Sequence, residues 1–168
     1  MPNTFVKIQT VTVGSGGATS MDFNSIPSTY TDLVIKMSAR TNRSLVVDGV
    51  NFSFNGSTSN FTGRYLEADG SQAYSATSTR LTGGGTGNTA TAITFGSVDI
   101  YIPNYTSSNN KSFSSDSVAE NNAAFGLLDL IGGLWSNTAA ITSISLSPLF
   151  GTSFDQYTTA TLYGIKNS

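Results

Sequence analysis

Between Thr31 and Arg40 the chain reads TDLVIKMSAR, with Leu33, Ile35, Met37 and Ala39 alternating against Asp32, Val34, Lys36, Ser38 and Arg40. Successive side chains of an extended strand point to opposite faces, so this spacing predicts a strand with one apolar face. Helical spacing would scatter the same four apolar residues around a cylinder. The alternation recurs along the chain. Val50, Phe52 and Phe54 alternate with Asn51 and Ser53, flanked by the turn dipeptides Asp48-Gly49 and Asn55-Gly56. Val98, Ile100 and Ile102 alternate with Asp99 and Tyr101, and Pro103-Asn104 ends that run. Further strands are expected over Ser20 to Phe23, Gly63 to Asp69, Phe113 to Val118, Ile141 to Leu146 and Gln156 to Ile165.

Three segments break the pattern. From Phe5 to Val13 the apolar phase shifts from Val6 and Ile8 to Val11 and Val13, the signature of a bulge or of a strand changing sheets. Ser71 to Asn88 is rich in Ser, Thr and Gly with little to bury, and reads as an exposed excursion or long loop. AAFGLLDLIGGLW, from Ala123 to Trp135, has helical spacing at Phe125, Leu128 and Ile131. Gly126 and Gly132-Gly133 each weaken a helix by about 1 kcal/mol relative to Ala, which favours a bent, buried strand. About ten strands with short turns and no internal repeat predict a single all-β domain over residues 1–168, an antiparallel sandwich of jelly-roll-like form. Its expected core is Leu33, Ile35, Met37, Phe52, Phe54, Val98, Ile100, Ile102, Ile144 and Leu146.

Composition strengthens the β reading. Charged residues make up 11% of the 168 residues, against roughly 25% in ordinary domains. Two Glu and four Lys leave little for the surface of a helix, whereas Ser, Thr and Asn supply more than a third of the chain. A net charge of −2 provides no basic footprint for nucleic acid. No apolar run reaches membrane-spanning length, and Met1-Pro2-Asn3-Thr4 has no secretory leader pattern, so synthesis in a cytoplasm is expected. There is no cysteine, hence no disulfide framework.

Candidate chemistry is sparse. Without histidine, Ser–His and Cys–His nucleophiles are excluded and the commonest metal ligand is gone. Paired carboxylates are the remaining kit: Glu67 with Asp69, or Asp116 with Glu120. Both pairs read more simply as solvated turn residues. Gly83-Gly84-Gly85-Thr86-Gly87 lacks the Gly-Lys-Ser/Thr of a phosphate loop and reads as a flexible loop. Asp48 and Asp69 lie beside glycines without the alternating acidic ligands of a calcium loop. Neither an enzyme nor a cofactor is expected. Trp135 could anchor an interface, although a lone Trp within an apolar segment is more often core. The N-terminal strand is the other interface candidate: Phe5, Val6 and Ile8 could pair with the sheet edge of a neighbouring subunit.

Four stretches, Thr41 to Glu67, Ile100 to Asn122, Leu134 to Leu146 and Phe154 to Ile165, resemble small structural proteins of tailed bacteriophages in composition and phrasing. The resemblance implies a virion component, made in the host cytoplasm and displayed on the virion surface. It implies a capsid decoration (cement) protein that binds the major capsid protein, commonly as a homotrimer. A tail-fibre or glycan-binding module, using the Ser71 to Asn88 segment or exposed tyrosines, is the alternative it allows. No nucleic acid and no membrane is expected as a partner.

Overall fold

A computed structural model describes residues 4–78, 83–121 and 125–166. These hold twelve strands: β1 (Phe5–Thr12), β2 (Met21–Phe23), β3 (Asp32–Ala39), β4 (Val47–Phe54), β5 (Phe61–Ala68), β6 (Ala73–Ser78), β7 (Gly83–Thr86), β8 (Gly96–Ile102), β9 (Lys111–Ala119), β10 (Leu127–Trp135), β11 (Ile144–Pro148) and β12 (Thr159–Ile165). They form an eight-stranded sheet, β1-β12-β3-β8-β9-β10-β5-β6, and a four-stranded sheet, β2-β11-β4-β7. Every pairing within them is antiparallel. The fold is an all-β sandwich, as the alternation predicted. The jelly-roll form is a finer description than this eight-and-four strand order carries.

The core lies between the sheets, where the apolar face of each strand turns inward. All ten residues expected there are 6% exposed or less. Phe52 and Phe54 of the small sheet meet Phe61, Phe113 and Trp135 of the large one, with ring centroids 5.0 to 6.1 Å apart in edge-on or tilted geometry. Full burial of one such side chain stabilises by about 1.5–3 kcal/mol. Aliphatic side chains, among them Leu33, Ile35, Val98, Ile100, Ile144 and Leu146, complete the core around this aromatic cluster.

The phase slip in β1 has its structural counterpart. Its register against β12 shifts between Lys7 and Gln9, so that Val6 lies opposite Gly164 and Val11 opposite Ala160. Ile8 and Val11 both pack against the core. The ambiguous apolar segment is a strand: β10 pairs with β9 along nine residues and with β5 along eight. Its first residues, 123 and 124, lie outside the described ones. Asn55-Gly56 forms the expected tight turn, with positive φ at both residues.

Two readings are corrected. Asp48-Gly49 is not a turn but the interior of β4, where a Cβ on Gly49 would meet Leu149 Cδ2 at 2.7 Å. Gly83-Gly84-Gly85-Thr86 is not a flexible loop but a buried strand, paired with β4 from Val47↔Thr86 to Val50↔Gly83. Its backbone lies directly on the large sheet, since a Cβ on Gly83 would come within 2.6 Å of Val98 Cγ1. Glycine is what allows that approach. The remainder of the Ser71 to Asn88 segment includes β6, exposed from Ala73 to Thr77, while 79–82 lie outside the described residues.

Candidate functional site

The carboxylates sort themselves by register. β5 ends at Ala68, so Glu67 and Asp69 do not share a strand face. Asp69 instead caps its own turn, accepting from the backbone N–H of Ser71 and Gln72 and from the Ser71 hydroxyl, all at 2.8 Å. Those donors hold its carboxyl below the usual range. Asp116 stands on the outer face of β9, and Glu120 follows the end of that strand. Neither sequence-adjacent pair is assembled as an acid–base couple.

A different pair is. β10 places Asp129 directly opposite Glu67 of β5, both on the inward face. Burial, and then the charge of Glu67, push the Asp129 carboxyl up to about 6; a hydrogen bond from the Ser117 hydroxyl opposes this, and the hydrogen bond shared with Glu67 adds to it. Ser117 Oγ donates to Asp129 Oδ2 at 3.2 Å while accepting the Gly84 N–H at 2.5 Å. The two carboxyls border a cleft of about 220 Å³ between the sheets, also lined by Arg43, Leu149 and Phe150. β7 closes over Asp129, because a Cβ on Gly84 would sit 3.1 Å from Oδ2. Asp129 is thus 7% exposed. A carboxyl at Asp129 that takes up a proton more readily than an ordinary aspartate is the chemistry this arrangement supplies.

The other buried charges tie loops to the frame. Asp48 accepts from the Thr41 hydroxyl at 2.8 Å and from the backbone N–H of Gly49, Phe150 and Gly151, and the Arg43 guanidinium lies 3.8 Å from its Oδ1. Arg40, expected on a polar strand face, is 8% exposed. Its guanidinium donates to the carbonyls of Asn88, Ala90, Thr91 and Thr94 and lies 3.4 Å from Asp155. Lys111 is buried as well, donating to Ser107 O at 2.7 Å, and burial lowers its pKa. Among the described residues no cluster of three or more His, Cys, Asp or Glu could hold a metal ion, and no helix is long and apolar enough to cross a membrane.

The interface candidates divide. β1 is an edge strand of the large sheet, and Phe5 is 54% exposed with its ring edge-on to Tyr163. Val6 and Ile8 are half-buried beneath it. Trp135 is corrected to the core: it is 1% exposed and stacked on Phe61 at 6.0 Å, with no surface left for a partner.

The sequence pattern missed a surface on the outer face of the large sheet. Leu66 of β5 and Leu130 of β10 are direct cross-strand neighbours, as are Leu128 of β10 and Val118 of β9. They are 51%, 57%, 57% and 39% exposed. The same face over β8, β3 and β12 carries Asp99, Lys36 and Thr161 instead. The available signal was LLDLI itself, where apolar residues occupy both strand faces. No protein-family model, curated protein or solved structure matches this chain.

Proposed function

We propose that this protein is a non-enzymatic structural component of a tailed-bacteriophage virion, a decoration (cement) protein seated on the major capsid protein. The observation that carries the reading is the apolar patch of Leu66, Leu128, Leu130 and Val118, where four exposed apolar side chains adjoin across three neighbouring strands. Exposed patches of this kind mark surfaces that other proteins cover. The internal engagement of Asp48, Asp129, Arg40 and Lys111 supports it, since these charges are used to hold loops and sheets. The virion, and a trimer assembled only on the capsid lattice, are carried over from the resemblance of four stretches to phage structural proteins. The free edge of β1, with Phe5 exposed and Val6 and Ile8 half-buried, is the proposed attachment strand. A decoration protein binds through many weak contacts at high effective concentration, so one strand edge suffices in each copy.

Antibody labelling of intact particles tests the assignment. Label spread over the head, with many copies per particle, is the expected result. Label confined to the tail overturns it in favour of a fibre module. Deleting residues Met1 to Thr10 should abolish incorporation while the remaining domain retains a β-sheet circular dichroism spectrum. Normal decoration by the truncated protein removes β1 from the attachment site.

A further inference from the structure

We propose that the outer face of β9, β10 and β5 is where two copies of this chain meet, about a two-fold axis running along β10. The cross-strand register arranges this face in rows. Arg64, Gly132 and Ser114 form one row, Leu66, Leu130 and Asp116 the next, and Ala68, Leu128 and Val118 the third. β10 is the apolar spine, with Arg64 on the strand to one side and Asp116 on the strand to the other.

A two-fold along β10 lays Leu128 and Leu130 over their own counterparts and places β5 over the partner's β9. Each Arg64 then stands above the partner's Ser114, one step of about 7 Å along the strand from the partner's Asp116. Sheets stacked about 10 Å apart keep that distance within the span of an arginine side chain. The ion pair forms twice, as an isologous contact requires. Within one copy Arg64 donates to the Gly63 carbonyl at 3.0 Å. Asp116 lies directly opposite Asp99, whose charge Lys36 already meets. Like charges so placed are unfavourable, and a cation from outside relieves Asp116. A Cβ on Gly132 would find nothing within 4 Å, leaving an opening beside Leu130 into which a partner's leucine can interdigitate.

The four exposed apolar side chains offer on the order of 400 Å² per copy, the size of the largest patch on a typical monomer and often a functional one. With the flanking rows the contact falls near the lower limit of specific interfaces, about 1,200 Å² in total. Such a dimer dissociates on dilution. It assigns to a second copy the same patch that carries the capsid reading, and because it concerns contact between copies it is decided on purified protein, whereas particle labelling decides the capsid assignment.

Sedimentation velocity over a range of concentrations tests it, with circular dichroism confirming the fold of each variant. The wild-type chain should pass from monomer to dimer as concentration rises. Leu130→Asp should weaken self-association by about 30-fold or more, the scale of a central interface residue. Arg64→Asp and Asp116→Arg should each weaken it, and the double variant should restore it. A monomer at every concentration, a trimer in place of the dimer, or an unchanged Leu130→Asp overturns the proposal. Should Leu130→Asp fail to fold, the charge exchange decides alone: no restoration in the double variant overturns it.

Discussion

Replacing Asp129 with asparagine removes a titrating group from an enclosed polar position between the sheets. The wild-type carboxyl rises from 3.8 to about 6 on folding. Below pH 4 both folded and unfolded chains hold the proton, and Asp129 does not alter stability with pH. As pH rises through 4 to 6 the unfolded chain releases its proton first, so the folded state loses stability over that window. Above about 6 the whole penalty is present. A shift of about two units corresponds to about 3 kcal/mol, at 1.36 kcal/mol per unit. Relaxation around Glu67 and the opening of the cleft reduce this, so about 1–3 kcal/mol is expected. The carboxamide of the Asp129→Asn variant would still accept from Ser117 and could donate to Glu67 without ionising. Urea unfolding followed by circular dichroism from pH 4 to 8 measures the difference. The variant should match wild type near pH 4 and exceed it by about 1–3 kcal/mol at pH 8. Asp69, lowered by its turn, contributes the opposite trend to both proteins and cancels in the comparison. A stability difference that stays flat across the pH range would refute the reasoning.

Two further substitutions probe the frame. Gly133→Ala places a Cβ 1.9 Å from the Phe113 ring and should cost at least about 2 kcal/mol in a urea melt, whereas Gly132→Ala faces open space and should be neutral or stabilise by about 0.4–1 kcal/mol. Equal effects at these adjacent positions would contradict the inward and outward facing of β10. Arg40→Met strips donors from the carbonyls of Asn88, Ala90, Thr91 and Thr94 and should cost about 3 kcal/mol or more; a loss below about 1 kcal/mol in the same melt would mean that water replaces them.

The strand alternation was legible because side chains carry it: Leu33, Ile35 and Met37 declare an apolar face in any context, and the slip between Ile8 and Val11 marked the irregular register of β1. β7 was not legible. Its burial comes from backbone lying on Val98 and Asp129, and three glycines carry no hydropathy to announce it. The Glu67–Asp129 pair was hidden for another reason, since the register between β5 and β10 joins residues far apart in the chain. Arg40 was misjudged because alternation places a side chain outward only while the strand continues, and β3 ends at Ala39. The outer patch was half visible in LLDLI, where leucines on both faces of one strand exceed what a single core can take.

The lone indole of the chain gives the seam between the sheets a spectroscopic voice. Trp135 belongs to the large sheet, yet its ring lies edge-on to Phe54 of the small one, 5.6 Å between centroids. Water reaches it when the sheets part, whether or not the strands themselves have come apart. Its emission therefore reports separation of the layers, while backbone circular dichroism reports the strands. Coincidence of the two signals through a melt would mark the layers and their strands as one cooperative unit. An earlier red shift in emission would reveal a state in which the sandwich has opened and its sheets persist.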